Sequence, residues 1–273
     1  QTSHSVVING ETVSYQATAG RLILKAEDEK TGEKPKAAVF FVAYTRDRPA
    51  GASEAGYVAA RPITFAFNGG PGSSSVWLHL GLLGPRRVVL EEDGRPLPPP
   101  YRLVDNDLSL LDKTDLVFID PVTTGFSRAV PGEADKQFHG FKPDIESVGE
   151  FIRLYLSRNH RWASPRYLIG ESYGTTRAAG LAGHLQERHG LYLNGIMLIS
   201  VVLNFMTLHF APGNDLPYML FLPTYAATAH YHGRLGPGVP AELPALLAEV
   251  EAFAMNEYAL ALLRGDALPA EER

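Results

Sequence analysis

The stretch Tyr167-Leu168-Ile169-Gly170-Glu171-Ser172-Tyr173-Gly174, followed by Thr175-Thr176-Arg177-Ala178-Ala179-Gly180-Leu181-Ala182, decides the fold of this chain. Three apolar residues of strand character run straight into Gly-x-Ser-x-Gly, and an alanine-rich segment of helical character follows at once. This is the sequence form of a nucleophile elbow. A strand that reverses abruptly into a helix packs backbone against backbone, so side chains on either side of the serine would collide with it. The serine is left projecting from the turn, and Ser172 is the candidate nucleophile.

Outward from the elbow, short apolar strands alternate with helical segments. Pro62 to Phe67 and Leu116 to Asp120 read as buried strands, and Gly195 to Leu203 reads as another. Between them, Pro143 to Arg158 carries Ile145, Val148, Phe151, Ile152, Tyr155 and Leu156 on one helical stripe. Strands alternating with helices imply a mainly parallel sheet covered on both faces, an α/β fold. Upstream, Val6-Val7-Ile8, the turn Asn9-Gly10, and the runs Thr12 to Ala17, Arg21 to Glu27 and Ala37 to Thr45 predict an antiparallel entry sheet. Gly51 to Ala60 is small and polar and reads as an exposed loop, and Val88 to Leu90 is a further strand candidate. From Asn204 the chain turns rich in Phe, Tyr, Leu and Pro, then becomes an amphipathic helix from about Leu243 to Leu263. Three regions follow: 1–60 as an N-terminal antiparallel segment, 61–203 as the core carrying the nucleophile, and 204–273 as the start of an inserted helical cap.

The 273 residues, 45% of them hydrophobic, can bury a sizeable core and suit one domain with an elaboration. A formal charge of −5 gives no reason to expect nucleic acid or an anionic membrane as partner. There are no cysteines, which removes disulfide and thiolate chemistry from this chain. No apolar run approaches a membrane span, and a start at Gln1 without a signal-peptide pattern reads as a processed or trimmed chain.

The glycine-rich turn Asn68-Gly69-Gly70-Pro71-Gly72 follows a strand directly. It lacks the Gly-Lys-Ser/Thr ending or the Gly-x-Gly-x-x-Gly spacing of a phosphate cradle. As half of an oxyanion hole it fits well: one backbone N–H comes from the residue after the nucleophile, here Tyr173, and the other from a loop after an earlier strand, here Gly70. Such donors act on charge that develops only in the transition state.

Together the motifs spell a family. Phe-Asn-Gly-Gly-Pro-Gly-Ser-Ser-Ser at 67–75, Leu83-Gly84-Pro85, Asp120-Pro-Val-Thr-Thr-Gly-Phe-Ser127 and Gly-Glu-Ser-Tyr-Gly at 170–174 resemble the motif set of the serine carboxypeptidases, peptidase family S10, in order and in approximate spacing. The resemblance runs from roughly Pro62 to His232. It implies an α/β-hydrolase with a helical cap that removes C-terminal residues from peptides through an acyl-enzyme on Ser172, often in an acidic compartment or outside the cell. It also implies that Gly70 and Tyr173 supply the oxyanion N–H groups and that Asn68 and Glu171 hold the substrate carboxylate. A secreted or periplasmic location goes with it, and no cofactor or metal is expected.

Two departures bear on that expectation. The family usually carries a second glutamate two residues before the Gly-Pro, where this chain has Leu82, which puts the acid optimum and strict carboxylate recognition in question and keeps an esterase or acyltransferase open. The other departure is the missing base. His184 lies twelve positions after Ser172 on one helix, about 18 Å along its axis, and His189 is farther. His209, His230 and His232 fall in or beside the cap without a glycine-rich turn, and Asp215 and Asp266 read as a loop and a helix-end residue. The triad's Asp and His are therefore expected on a second chain of the same precursor, cut after Arg273, and a non-catalytic fragment is the alternative. A peptide substrate and that C-terminal chain are the expected partners, and a homodimer is left open. Asp144, Glu146 and Glu150 read as carboxylates complementing a helix start.

Overall fold

In the computed structural model, residues 1–28 and 32–272 are described, and they form two compact units, Gln1–Val202 and Leu203–Arg273. Arg273, the expected cut position, lies outside the described residues.

The first unit is built on one mixed sheet. β1 (Thr2–Ile8), β2 (Glu11–Asp28) and β3 (Gly32–Arg46) run antiparallel, and β3 pairs antiparallel with β7 (Asp115–Ile119). β7, β4 (Ile63–Phe67), β9 (Arg166–Glu171) and β10 (Gly195–Ile199) continue in parallel, giving the order β1-β2-β3-β7-β4-β9-β10, and the short β8 (Arg128–Ala129) adds to β3. The two central strands β4 and β7 are buried along their whole length, which is why they read as unbroken apolar runs. α3 (Phe141–Arg158) and α4 (Tyr173–His189) contribute their apolar stripes to a core that includes Phe65, Phe67, Phe151, Ile152, Leu168 and Leu181. A second core, with Leu78, Leu111, Phe118 and Ile169, fills the other face.

Several expectations need correcting. The runs at Thr12 and Arg21 are one strand, β2, whose pairing with β3 continues through Gly20, opposite Phe41, without a break. The loop expected at 51–60 contains a helix, α1 (Glu54–Ala60), whose start is capped by Ser53 Oγ accepting from Gly56 N–H at 3.2 Å. The strand expected at 88–90 is β5 (Arg86–Val88), which pairs with an unanticipated β6 (Leu103–Asp105). The strand at 195–203 is shorter and is not buried: β10 ends at Ile199, pairs with β9 alone, and leaves Ile196, Met197 and Leu198 38–40% exposed.

The second unit is helical. α5 (Leu216–Tyr231) tolerates Pro217 in its first turn and carries Pro223 inside it. α6 (Leu243–Phe253), a π-helical turn at Ala254–Tyr258 and α7 (Ala259–Arg264) follow one another without a break. The periodicity of residues 243–263 covers them as one amphipathic segment.

One half-buried group of the first unit makes its stability pH-dependent. After the one-turn α2 (Val76–Leu78), His79 stacks on Phe118 at 4.6 Å between centroids and shares a 2.6 Å hydrogen bond with the Tyr44 hydroxyl. Burial lowers its pKa from 6.5 to about 4. The folded protein thus keeps a neutral imidazole where the unfolded chain takes up a proton. Stability from this group is complete above pH 6.5 and is lost as pH falls from there toward 4, up to about 3 kcal/mol. His79→Gln is expected to cut the stability difference between pH 7 and pH 4.5 by about 2 kcal/mol in urea melts. An unchanged difference would show that His79 does not carry it.

Candidate active site

At the end of β9 the chain turns at Ser172, whose φ of 56° and ψ of −123° lie outside ordinary helix and strand conformations. The flanking glycines are required by contact. A Cβ on Gly170 would stand 2.0 Å from the Gly174 carbonyl oxygen, and one on Gly174 would stand 2.8 Å from that of Phe67. The turn is tied down on its far side: Ser172 N–H donates to the Ile199 carbonyl at 3.0 Å, and the Ser172 carbonyl accepts from Thr175 N–H and Oγ1 at 2.9 and 2.7 Å.

The loop after β4 meets this turn edge to edge. Gly69 is so close that a Cβ there would be 2.4 Å from the Tyr173 nitrogen. Gly70 follows with φ +105°, a conformation few other residues adopt, and neither its N–H nor that of Tyr173 donates to any group among the described residues. Two unengaged donors beside one serine are what an oxyanion hole requires. Asn68 is buried. Its Oδ1 accepts from Leu78 N–H and its Nδ2 donates to Glu171 Oε2, both at 3.0 Å. All five residues singled out from the sequence, Asn68, Gly70, Glu171, Ser172 and Tyr173, therefore stand together. Asn68, Gly70, Glu171 and Ser172 line an open cleft of about 610 Å³ whose other walls include Ser73, Trp77 and Leu82.

The remaining motifs hold that cleft in shape. Asp120 accepts from Ser75 N–H at 2.9 Å and from Phe126 N–H at 3.3 Å, joining the two motif loops, and no side chain fits at Gly125 beside it. Asn106 Nδ2 donates to the Leu82 and Gly84 carbonyls at 2.8 Å each, and fixes the turn that presents Leu82.

Five histidines of the first unit, His4, His79, His139, His184 and His189, have other neighbours. His4 stacks on Tyr15, His79 on Phe118, and His184 and His189 face one another on α4. His139 lies 3.3 Å from Thr123 Oγ1. In the second unit His230 bonds the Ala241 carbonyl at 2.8 Å, and His232 packs on Tyr231. Among the described residues no imidazole hydrogen-bonds Ser172, and no group of three or more His, Asp or Glu is arranged to hold a metal ion. No helix among them is long and apolar enough to cross a membrane.

Sequence reasoning passed over one feature of the site. Asp144 does lie in the first turn of α3, but it is nearly buried in an ion pair with Arg177 of α4, whereas Glu146 and Glu150 pair with Lys142 and Arg153 on their own helix. Arg177, five residues after Ser172, gave no signal of burial on its own.

A parallel sheet with a serine elbow on an inner strand and a glycine-rich donor loop on the next one defines an α/β-hydrolase. The family model of the serine carboxypeptidases matches residues 30–206, and the chain belongs to that family. The pheromone-processing carboxypeptidase KEX1 of Saccharomyces cerevisiae is 34% identical over 168 residues, covering 58% of this chain and 21% of that protein. Its namesake in Yarrowia lipolytica is 29% identical over 147 residues, 52% of this chain and 22% of the relative. The crystal structure of the S. cerevisiae Kex1 protein, titled a prohormone-processing carboxypeptidase, superposes with a TM-score of 0.56 at 23% identity, over 90% of this chain and 48% of that one. The chain thus spans about a fifth of the length of the curated relatives it matches.

Proposed function

We propose that this chain supplies the nucleophile and oxyanion hole of a serine carboxypeptidase that cleaves the C-terminal residue of peptides through an acyl-enzyme on Ser172. The observation that carries it is the strained Ser172 turn with the free N–H groups of Gly70 and Tyr173 beside it. Attack of Ser172 Oγ on the scissile carbonyl would place the developing oxyanion on those two donors, and water would later release the acyl group. Asn68 and Glu171, already hydrogen-bonded to each other, are assigned to the substrate's terminal carboxylate.

The general base and its carboxylate are assigned to a C-terminal chain of the same precursor, on the portion of the fold that this chain does not span. The apolar edge of β10 supports that assignment: an exposed edge of Ile196, Met197 and Leu198 invites further strands. The unit Leu203–Arg273 is assigned as the start of the cap over the substrate, and a secreted or periplasmic location is part of the same reading.

A second reading, an esterase or acyltransferase, is favoured by Leu82, which offers the cleft an alkyl group that is half exposed. The two separate on one comparison with the complete protein. A carboxypeptidase is expected to cleave an N-acylated dipeptide at least about a hundred times faster than its C-terminal amide, since the terminal carboxylate forms charge-assisted hydrogen bonds that the amide cannot. Equal rates, or turnover of simple esters alone, would favour the second.

A further inference from the structure

Arg177 is the largest of the fully buried side chains, 1% exposed, one and a half turns beyond the nucleophile on α4. Its guanidinium is engaged through Nε, Nη1 and its π faces. Nε donates to both Asp144 carboxylate oxygens at 2.8 and 3.0 Å, and Nη1 donates to the Asn68 carbonyl at 2.7 Å. The rings of Phe67 and Tyr173 each lie 5.2 Å from the cation. These partners are not scattered. Phe67 and Asn68 immediately precede Gly69-Gly70, the loop of one oxyanion donor, and Tyr173 carries the other.

We infer, on the catalytic reading above, that Arg177 is a positioning residue, held by Asp144, which sets the distance between the two halves of the oxyanion hole. An ion pair that merely docked α3 on α4 would need neither the bond to a loop carbonyl nor aromatic contacts to Phe67, at the start of one donor loop, and to Tyr173, which carries the other donor. The planar fork is what allows one side chain to do all three things. A lysine keeps the charge yet cannot bond a carboxylate and a carbonyl in one plane while stacking on rings. The Asn68 carbonyl would then lose its buried donor, and the loop carrying Gly70 would be free to shift. A displacement there touches the transition state more than the bound substrate, because the oxyanion exists only in the former.

The test uses the complete protein, comparing the parent with Arg177→Lys and Asp144→Asn. Two quantities are read, kcat and KM on an N-acylated dipeptide and the rate at which a fluorophosphonate acylates Ser172, with the folded fraction checked by circular dichroism. The expected result is a fall of about tenfold to a hundredfold in kcat and in labelling rate, with KM changed less than about threefold. Parent-like kcat and labelling in both variants, or a rise in KM alone, would overturn the inference and leave the hydrolase reading standing. Loss of folding in both variants would assign the pair to stability and overturn it likewise. A parent that neither cleaves peptides nor labels would overturn the catalytic reading, and this inference with it. A parent that labels but does not cleave peptides would remove the carboxypeptidase reading alone, and the labelling ratios would still decide the role of Arg177.

Discussion

Ser172→Ala is expected to abolish peptide cleavage by the complete protein, a loss of at least about 10⁴-fold in kcat, with a thermal midpoint within about 2 °C of the parent. The two halves of that expectation have different origins. On the proposed mechanism the Ser172 hydroxyl forms the acyl-enzyme, and alanine offers no group in its place. The turn itself is held by Gly170 and Gly174 and by hydrogen bonds through the Ser172 backbone, none of which involves Oγ. In the parent, fluorophosphonate labelling of Ser172 should need the C-terminal chain, because among the described residues no imidazole is hydrogen-bonded to the serine to take its proton. Labelling of the 273-residue chain alone at the full rate would sink the shared triad. Undiminished cleavage by Ser172→Ala would remove the nucleophile assignment altogether.

The parts of this site that were legible in the sequence are those where geometry forces a residue type. Gly170 and Gly174 flank Ser172 because a Cβ would enter a neighbouring carbonyl, and Gly69 and Gly70 let one loop lie against the elbow. Any chain that builds this turn must write those letters, so the letters reveal the turn. Arg177 is the opposite case. An arginine on an alanine-rich helix ordinarily points to solvent, and only Asp144, thirty-three residues earlier on another helix, turns it inward. The sheet divides in the same way. β4 and β7 are buried on both faces and wrote continuous apolar runs, whereas β10 wrote a similar run as an edge strand, because neighbours along the sheet are not encoded within a strand. The helix at Glu54–Ala60 was hidden by small residues whose helical state depends on the Ser53 cap.

At the opposite ends of the central strands from Ser172, Asp115→Asn is expected to destabilise the fold by about 3–5 kcal/mol without altering kcat per folded molecule. Asp115, 1% exposed, opens β7 and takes bonds from three directions: Arg61 Nε at 3.1 Å, the Arg46 N–H at 3.0 Å and Arg161 Nη1. Both arginines are themselves 7% exposed. Their other donors are engaged as well: Arg61 bonds the carbonyls of Leu111 and Asp112 at 2.6 and 3.1 Å, and Arg161 bonds the Arg61 carbonyl at 2.9 Å and Ser164 Oγ at 2.7 Å. The cluster thus closes the loops that enter β4 and β7, and it already carries one more positive than negative charge. An asparagine fits the same space but leaves two buried cations with no counter-charge, and that uncompensated charge, more than any lost hydrogen bond, sets the size of the effect. Urea unfolding of the two proteins at neutral pH measures it. A loss below about 1 kcal/mol would mean that water reaches the arginines and that burial here is less than the structure describes. Adding Arg161→Met to Asp115→Asn removes one of the stranded charges, and the double variant is accordingly expected to be more stable than Asp115→Asn alone.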